Sequence, residues 1–167
     1  MKSKRLGLFV ALGCFAVVAP PLAATDNAAH NHGRSDGQLA LDNGSKWAAD
    51  SPLRHGMARL NGAVAEAVTA IHRGEMGDAG YDLLADAAAA EIAFIIDNCA
   101  LEPAADAQLH HIIAEIMAGV AMAKGNASGH SRKDGVIKMR NAVNDYGRYF
   151  DDPQFDFSAL QKSGSGN

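Results

Sequence analysis

The stretch Ile95–Ile113, IIDNCALEPAADAQLHHII, brings together Cys99 and the adjacent pair His110 and His111. A thiolate, a neutral imidazole and a nearby thioether make a donor set suited to copper(I), and a Met/His pair is an axial set for b-type haem. Met57, early in the chain, supplies the thioether. Asp106 stands one helical turn before His110, where a carboxylate orients the second ring nitrogen. Met57, Cys99 and His110 are therefore the candidate metal site, and Met57 with His110 the candidate haem ligands. The plain alternative has Met57 filling a core, Cys99 acting as a small buried hydrophobe and His110 resting at an edge. A second, weaker Met/His set comprises His72, Met76, Met122 and His130. His30-Asn31-His32 supplies two further imidazoles, with Asp26 as the nearest third donor and a solvated linker as the plainer reading.

Whether these groups meet depends on the elements that carry them. Asp50-Ser51-Pro52 is a helix start, a capping residue ahead of a first-turn proline. Leu53, Met57, Leu60, Val64, Ala67 and Ile71 then recur every three or four residues, until His72-Arg73-Gly74 ends the first helix. A second helix runs from near Asp78 through Tyr81, Ala85, Ala88, Ile92 and Ile95 to Cys99, and its ADAAAAEIA segment has small side chains for close approach. The third starts at Glu102-Pro103, with Leu109, Ile113, Ile116 and Val120 on its stripe and Ile112 beside it, and ends at Lys124-Gly125. The fourth places Val136, Met139, Val143, Tyr146 and Phe150 on one face and leaves at Pro153. No strand-type alternation competes. The expected fold is all-α, an up-down-up-down antiparallel four-helix bundle over residues 50–152.

At 100° per residue, Cys99 faces the core at the end of the second helix. His110 lies at the edge of the third helix's stripe, about 100° from Leu109, and His111 points to solvent. At roughly 1.5 Å per residue, Met57 stands about 7 Å, His110 about 10 Å and Asn144 about 9 Å above the end where the first helix begins. Met57 and His110 are thus expected to face each other, with Cys99 beneath them. The weaker set belongs to the opposite end.

Residues 1–24 read as a secretory signal peptide: Lys2, Lys4 and Arg5 precede an apolar run Leu8–Val18, with Ala23 and Ala24 at the cleavage site. Cys14 leaves with it. Removal takes three of the 15 Lys+Arg and none of the 19 Asp+Glu, moving formal charge from −4 to −7. An acidic body without a basic stripe disfavours nucleic acid and anionic lipid as partners. One remaining cysteine excludes an internal disulfide in the oxidising compartment that export implies. Residues 25–49 form a polar flexible segment, anchored late by Leu39, Leu41 and Trp47, and 153–167 a C-terminal tail.

No GxSxG, HExxH, phosphate loop, dinucleotide fingerprint or repeated Glu-x-x-His occurs, so an enzyme is not expected. The expected function is an exported, periplasmic, soluble bundle that binds copper or non-covalent haem. The alternative is a metal-free interaction or envelope-stress module with another periplasmic protein as partner.

Two resemblances bear on this. HGMARLNGAV resembles the first helix of the periplasmic cytochrome b562 family through Met57, Leu60 and Asn61, and implies Met57 as an axial haem ligand. Arg140-Asn141-Ala142 resembles the run before that family's histidine, but Val143-Asn144 stand where the histidine is required, so the second ligand is missing. DSPLRHGM at Asp50–Met57 and CALEPAADAQLH at Cys99–His110 are similar to a group of exported proteobacterial helical-bundle proteins. That resemblance implies the fold and compartment and no activity.

Overall fold

The computed structural model describes residues 38–157. Four helices make up most of them: α1 (Ser51–His72), α2 (Asp78–Asn98), α3 (Pro103–Ala123) and α4 (Arg132–Tyr149). Each boundary has a local cause. The Asp50 carboxylate accepts from Leu53 N–H at 2.8 Å to cap α1, and Pro52 lies in its first turn. At α4, Ser131 and Asp134 form a reciprocal capping box. Gly74 and Gly125 follow the ends of α1 and α3 at φ of 70° and 75°, a left-handed turn that glycine adopts without cost.

The helices pack in a ring, α1 on α2 and α4, and α3 on α2 and α4. The faces of α1 and α4 follow their apolar spacing: Leu53, Met57, Leu60 and Val64, and Val136, Met139, Val143 and Tyr146, are completely buried. Helix α3 is turned relative to its expected stripe. Ala105, Gln108, Leu109, Ile112, Ile116, Gly119, Val120 and Ala123 face inward and Ile113 is only half-buried. On a helical wheel this shifts the buried face by roughly 50° from the Leu109/Ile113 line. The cause is backbone contact with α4. A Cβ added to Gly119 would lie 2.6 Å from Met139 Cγ, and one on Gly135 would lie 2.5 Å from the Gly119 carbonyl oxygen.

The folded unit extends beyond residues 50–152. Trp47–Ala48 (β1) pairs in parallel with Phe150–Asp151 (β2), a short element that the sequence pattern did not announce. Gln108 Oε1 accepts from Ala40 N–H, Trp47 Nε1 donates to the Ala40 carbonyl, and Lys46 Nζ donates to the Gly147 carbonyl. Residues 38–49 are thereby tied to the bundle, with Leu39 and Trp47 packed on the core and Leu41 exposed. Beyond Pro153, Phe155 packs edge-on against Tyr146, and Asn61 Nδ2 donates to the Asp156 carbonyl. The signal-peptide segment, His30, His32 and the last ten residues lie outside the described residues.

Candidate functional site

Met57 is completely buried among core side chains. His110 is on the surface, its side chain 68 % exposed, with Nδ1 donating to the Asp106 carbonyl at 2.9 Å and lying 3.4 Å from the Asp106 carboxylate. The expected facing pair is therefore corrected. The turn of α3 moves His110 from the edge of the buried face to the outside and draws His111 to a half-buried flank. Asp106 does neighbour His110, as its spacing implied, but in solvent. No group of three or more His, Cys, Asp or Glu side chains is arranged for a metal ion among the described residues.

Cys99 closes α2 and is half-buried against the core. Burial pushes its thiol up to about 11, helped by the Asp50 and Asp106 carboxylates and a hydrogen bond with Asp50. The group is thus a thiol at neutral pH and a poor nucleophile there. Asp50 does more than cap α1. Its second oxygen also accepts from Ala100 N–H at 2.7 Å, tying the start of α1 to the α2–α3 turn. Beside this joint, Asp42, Trp47, Ala49, Leu101 and Ala105 line an open groove of about 320 Å³.

The weaker Met/His set divides in two. His72 is exposed, its Nδ1 bonded to the Val68 carbonyl, and Met76 packs at the start of α2 beside Gly80. Met122 and His130 line a different groove of about 310 Å³ between α3 and α4, together with Glu115, Asp134, Lys138 and Asn141. Hydrogen bonds from the Ser131 backbone and hydroxyl hold the Asp134 carboxyl below its usual range, and nearby His130 adds to the effect. At the other end, Ser51, Arg54, His55, Asp152 and Gln154 line an open groove of about 400 Å³. Met57 lines none of these grooves.

Two polar residues are buried, Gln108, which the sequence pattern did not single out, and Asn61, which it marked only through the cytochrome resemblance. Each fixes a chain segment outside the helices, and Asn61 Oδ1 is buried with no hydrogen-bond partner among the described residues. Tyr146 is similar: its fully buried hydroxyl donates to Asp152 at 3.0 Å, and desolvation together with that carboxylate raises its pKa far above the usual tyrosine value. A polar residue inside an apolar stripe was the available signal.

The least expected surface is the outside of α2. Leu83 is 72 % exposed and Ile96 62 %, and Ala79, Ala87, Ala90 and Ala93 are exposed with them. Three acidic side chains of α2 pair with neighbouring elements, and Asp97 is exposed. Glu91 pairs with Arg59 at 2.6 Å, Asp86 pairs with Lys124, and Asp82 pairs with Arg132 at 2.7 Å. Arg59 also lies over the Phe94 ring, 4.6 Å from its centre. On the same outer face the exposed apolar side chains are interspersed with Asp86 and Asp97. Next to it, Ala63, Ala67 and Ala70 of α1 and Gly80, Leu83 and Ala87 of α2 line a groove of about 320 Å³.

No family model matches the chain, and no curated protein or solved structure matches it. Of the two resemblances read from the sequence, what stands is the set of four packed helices.

Proposed function

We propose that this chain is a non-enzymatic, exported four-helix-bundle module that acts by contacting another protein surface, in preference to carrying copper or haem on Met57, Cys99 and His110. The observation that carries this reading is the separation of Met57, wholly inside the core, from His110, on the surface. A ligand shared by the two would require the core to open. Exposed Leu83 and Ile96 on α2 supply uncovered hydrophobic side chains that an interaction module can use. Among the described residues no helix is long and apolar enough to cross a membrane. Periplasmic location rests on the signal-peptide reading of residues 1–24.

An antiparallel, up-down-up-down course is part of this proposal. Asp50, at the start of α1, bonds Ala100 beyond the end of α2, and Trp47–Ala48 pairs with Phe150–Asp151 beyond the end of α4. At the start of α4, Arg132 bonds the Ala123 carbonyl at the end of α3 and Asp82 in the first turns of α2. These contacts support two ends, each shared by alternating helix starts and stops. The cytochrome b562 reading keeps this architecture and Met57's place on α1, with no second axial ligand at Asn144.

The test is the melting temperature of the purified exported protein with and without excess copper(I) or haem. A ligand specific for the native state raises it, by linkage. The expected outcome is no change with haem. A rise with haem, or one with copper that His110→Ala abolishes, overturns the reading.

One observation favours a second reading. Met122 and His130 do line a common groove, so a weak copper(I) site there is the metal alternative. Copper uptake lost in Met122→Leu and in His130→Ala, and kept in His110→Ala, is the outcome that supports it.

A further inference from the structure

We infer that residues 153–157 are a strap lying in a peptide-binding cleft between α1 and α4, in the place of an extended aromatic–x–aromatic segment of a partner protein. The inference rests on the interaction-module reading and gives that module a site and a partner chemistry. The shape of the cleft, a half-used carboxamide and the strap's slight hold argue for it.

The cleft is shaped for rings. Gly147 of α4 is buried, and Phe155 and Phe157 fill the space its missing side chain leaves. A Cβ added there would lie 2.5 Å from Phe155 Cδ1 and 2.6 Å from Phe157 Cζ. The two rings meet edge to face at 4.9 Å between centres, and Phe155 meets Tyr146 in the same way at 5.3 Å. The Lys46 ammonium, bonded to the Gly147 carbonyl, stands 6.0 Å from the centre of the Phe157 ring. A bare glycine, an aromatic wall and a cation at the rim select aromatic side chains two positions apart.

Asn61 of α1 supplies the second argument. Its side chain is 5 % exposed and grips the strap between the two rings, Nδ2 donating to the Asp156 carbonyl at 3.0 Å. Oδ1 is buried as well and accepts nothing among the described residues. A carboxamide offers a donor and an acceptor side by side, and extended backbone can meet both with a carbonyl and an N–H. A buried acceptor without a donor is unfavourable. The strap thus uses half of what Asn61 offers, and a segment that also brings an N–H to Oδ1 binds better.

The hold of the strap is slight. Residues 153–157 belong to no helix or strand, Gln154 and Asp156 are exposed, and both phenylalanines are only half-buried. The N–H groups of Gln154 and Phe155 bond back to Asp152, at the strap's own base. That base is fixed separately, by the pairing of Phe150–Asp151 with Trp47–Ala48 and by the Tyr146 hydroxyl on Asp152. The strap can therefore lift while the four helices stay packed, the kind of local opening that costs little. Being part of the chain, it competes at high effective concentration and yields only to a better-fitting segment. It holds the site closed until such a partner arrives.

The test uses the full exported chain and a fluorescein-labelled synthetic peptide, DPQFDF, the sequence of residues 152–157. Phe155→Ser with Phe157→Ser empties the cleft, and helicity equal to the parent's shows that this double variant is folded. If the serine pair unfolds the chain, Phe155→Leu with Phe157→Leu carries the same expectation. The expected result is a rise in anisotropy with the double variant, at an affinity about tenfold or more above that of the parent, whose cleft is occupied. Adding Gly147→Ala fills the ring seat at no cost in helix propensity and abolishes the rise. No rise with a folded double variant, or a rise that Gly147→Ala leaves intact, overturns the inference. A parent chain that sediments at two chain masses, reduced to one in the double variant, assigns the cleft to the strap of a second copy and overturns the separate partner. A photo-crosslinking residue at exposed position 83 in the producing cells separates this inference from the reading beneath it. Failed peptide binding with a Leu83-site adduct to another protein overturns the strap alone, and failed binding with no adduct overturns both.

Discussion

Gly135 of α4 lies against Gly119 of α3 so closely that a Cβ on Gly135 would stand 2.5 Å from the Gly119 carbonyl oxygen and 2.5 Å from the Ala123 nitrogen. Both obstacles are backbone, so no side chain can swing aside. Gly135→Ala is expected to destabilise the fold by about 1–3 kcal/mol, the usual cost of overpacking. Gly62, on the exposed side of α1, has nothing within 4 Å of an added Cβ. Gly62→Ala should stabilise by up to about 1 kcal/mol through helix propensity. Urea unfolding of the two variants checks the opposite signs, and equal effects would contradict the close α3–α4 contact.

Met57 serves as core filling in this structure. Met57→Leu keeps its volume and is expected to cost less than about 1.5 kcal/mol, whereas Met57→Ala opens a cavity and costs about 2–5 kcal/mol. Copper(I) titration of the leucine variant should match that of the parent. Lost binding in a variant that melts normally would restore Met57 as a ligand.

The Cys99 thiol is raised from 9.0 to about 11 by burial and then by Asp50 and Asp106. At pH 8 the thiolate fraction falls about 100-fold, and the higher intrinsic nucleophilicity of a more basic thiolate returns part of this, so alkylation should be about tenfold slower than in the unfolded chain. Because the folded value is the higher one, the associated stability is complete below pH 9. It is lost as pH rises from there through about 11. Iodoacetamide kinetics check the first statement, and urea unfolding followed across that pH range checks the second. Asp50→Asn, which retains a good helix cap, should accelerate the reaction.

At the start of α4 the sign is reversed. The Asp134 carboxyl is held below its ordinary 3.8 by the Ser131 backbone and hydroxyl. Its contribution is present above that ordinary value and fades as pH falls through the lower folded one. Ser131→Ala should lower the melting temperature at pH 7 and have less effect at a strongly acid pH, once the carboxylate is protonated. Thermal melts at the two pH values measure this, and an equal drop at both would contradict it.

The candidate donors show how far the sequence reached. Met57 pointing inward followed from its three- and four-residue spacing with Leu53 and Leu60, because only one apolar stripe fits α1. His110 was a different case. Ile112 and Ile113 are adjacent and equally apolar, so two buried faces differing by roughly 50° satisfy the same pattern. Periodicity alone cannot choose between them. Gln108 and Asn61 interrupt apolar stripes, and their partners, Ala40 and Asp156, lie 68 and 95 residues away in segments without any period.

By itself, then, the sequence determined four helices, the Asp50 cap of α1 and the inward faces of α1 and α4, because those features depend on residues a few positions apart. Tertiary structure decided the rest. The Gly119–Gly135 contact set the rotation of α3 and sent His110 to solvent. The joining of residues 38–49 and 150–157 to the bundle required partners about a hundred residues distant. The pairing of Glu91, Asp86 and Asp82 with Arg59, Lys124 and Arg132 was decided there too. That outcome depends on which helices are neighbours, which helical periodicity does not encode.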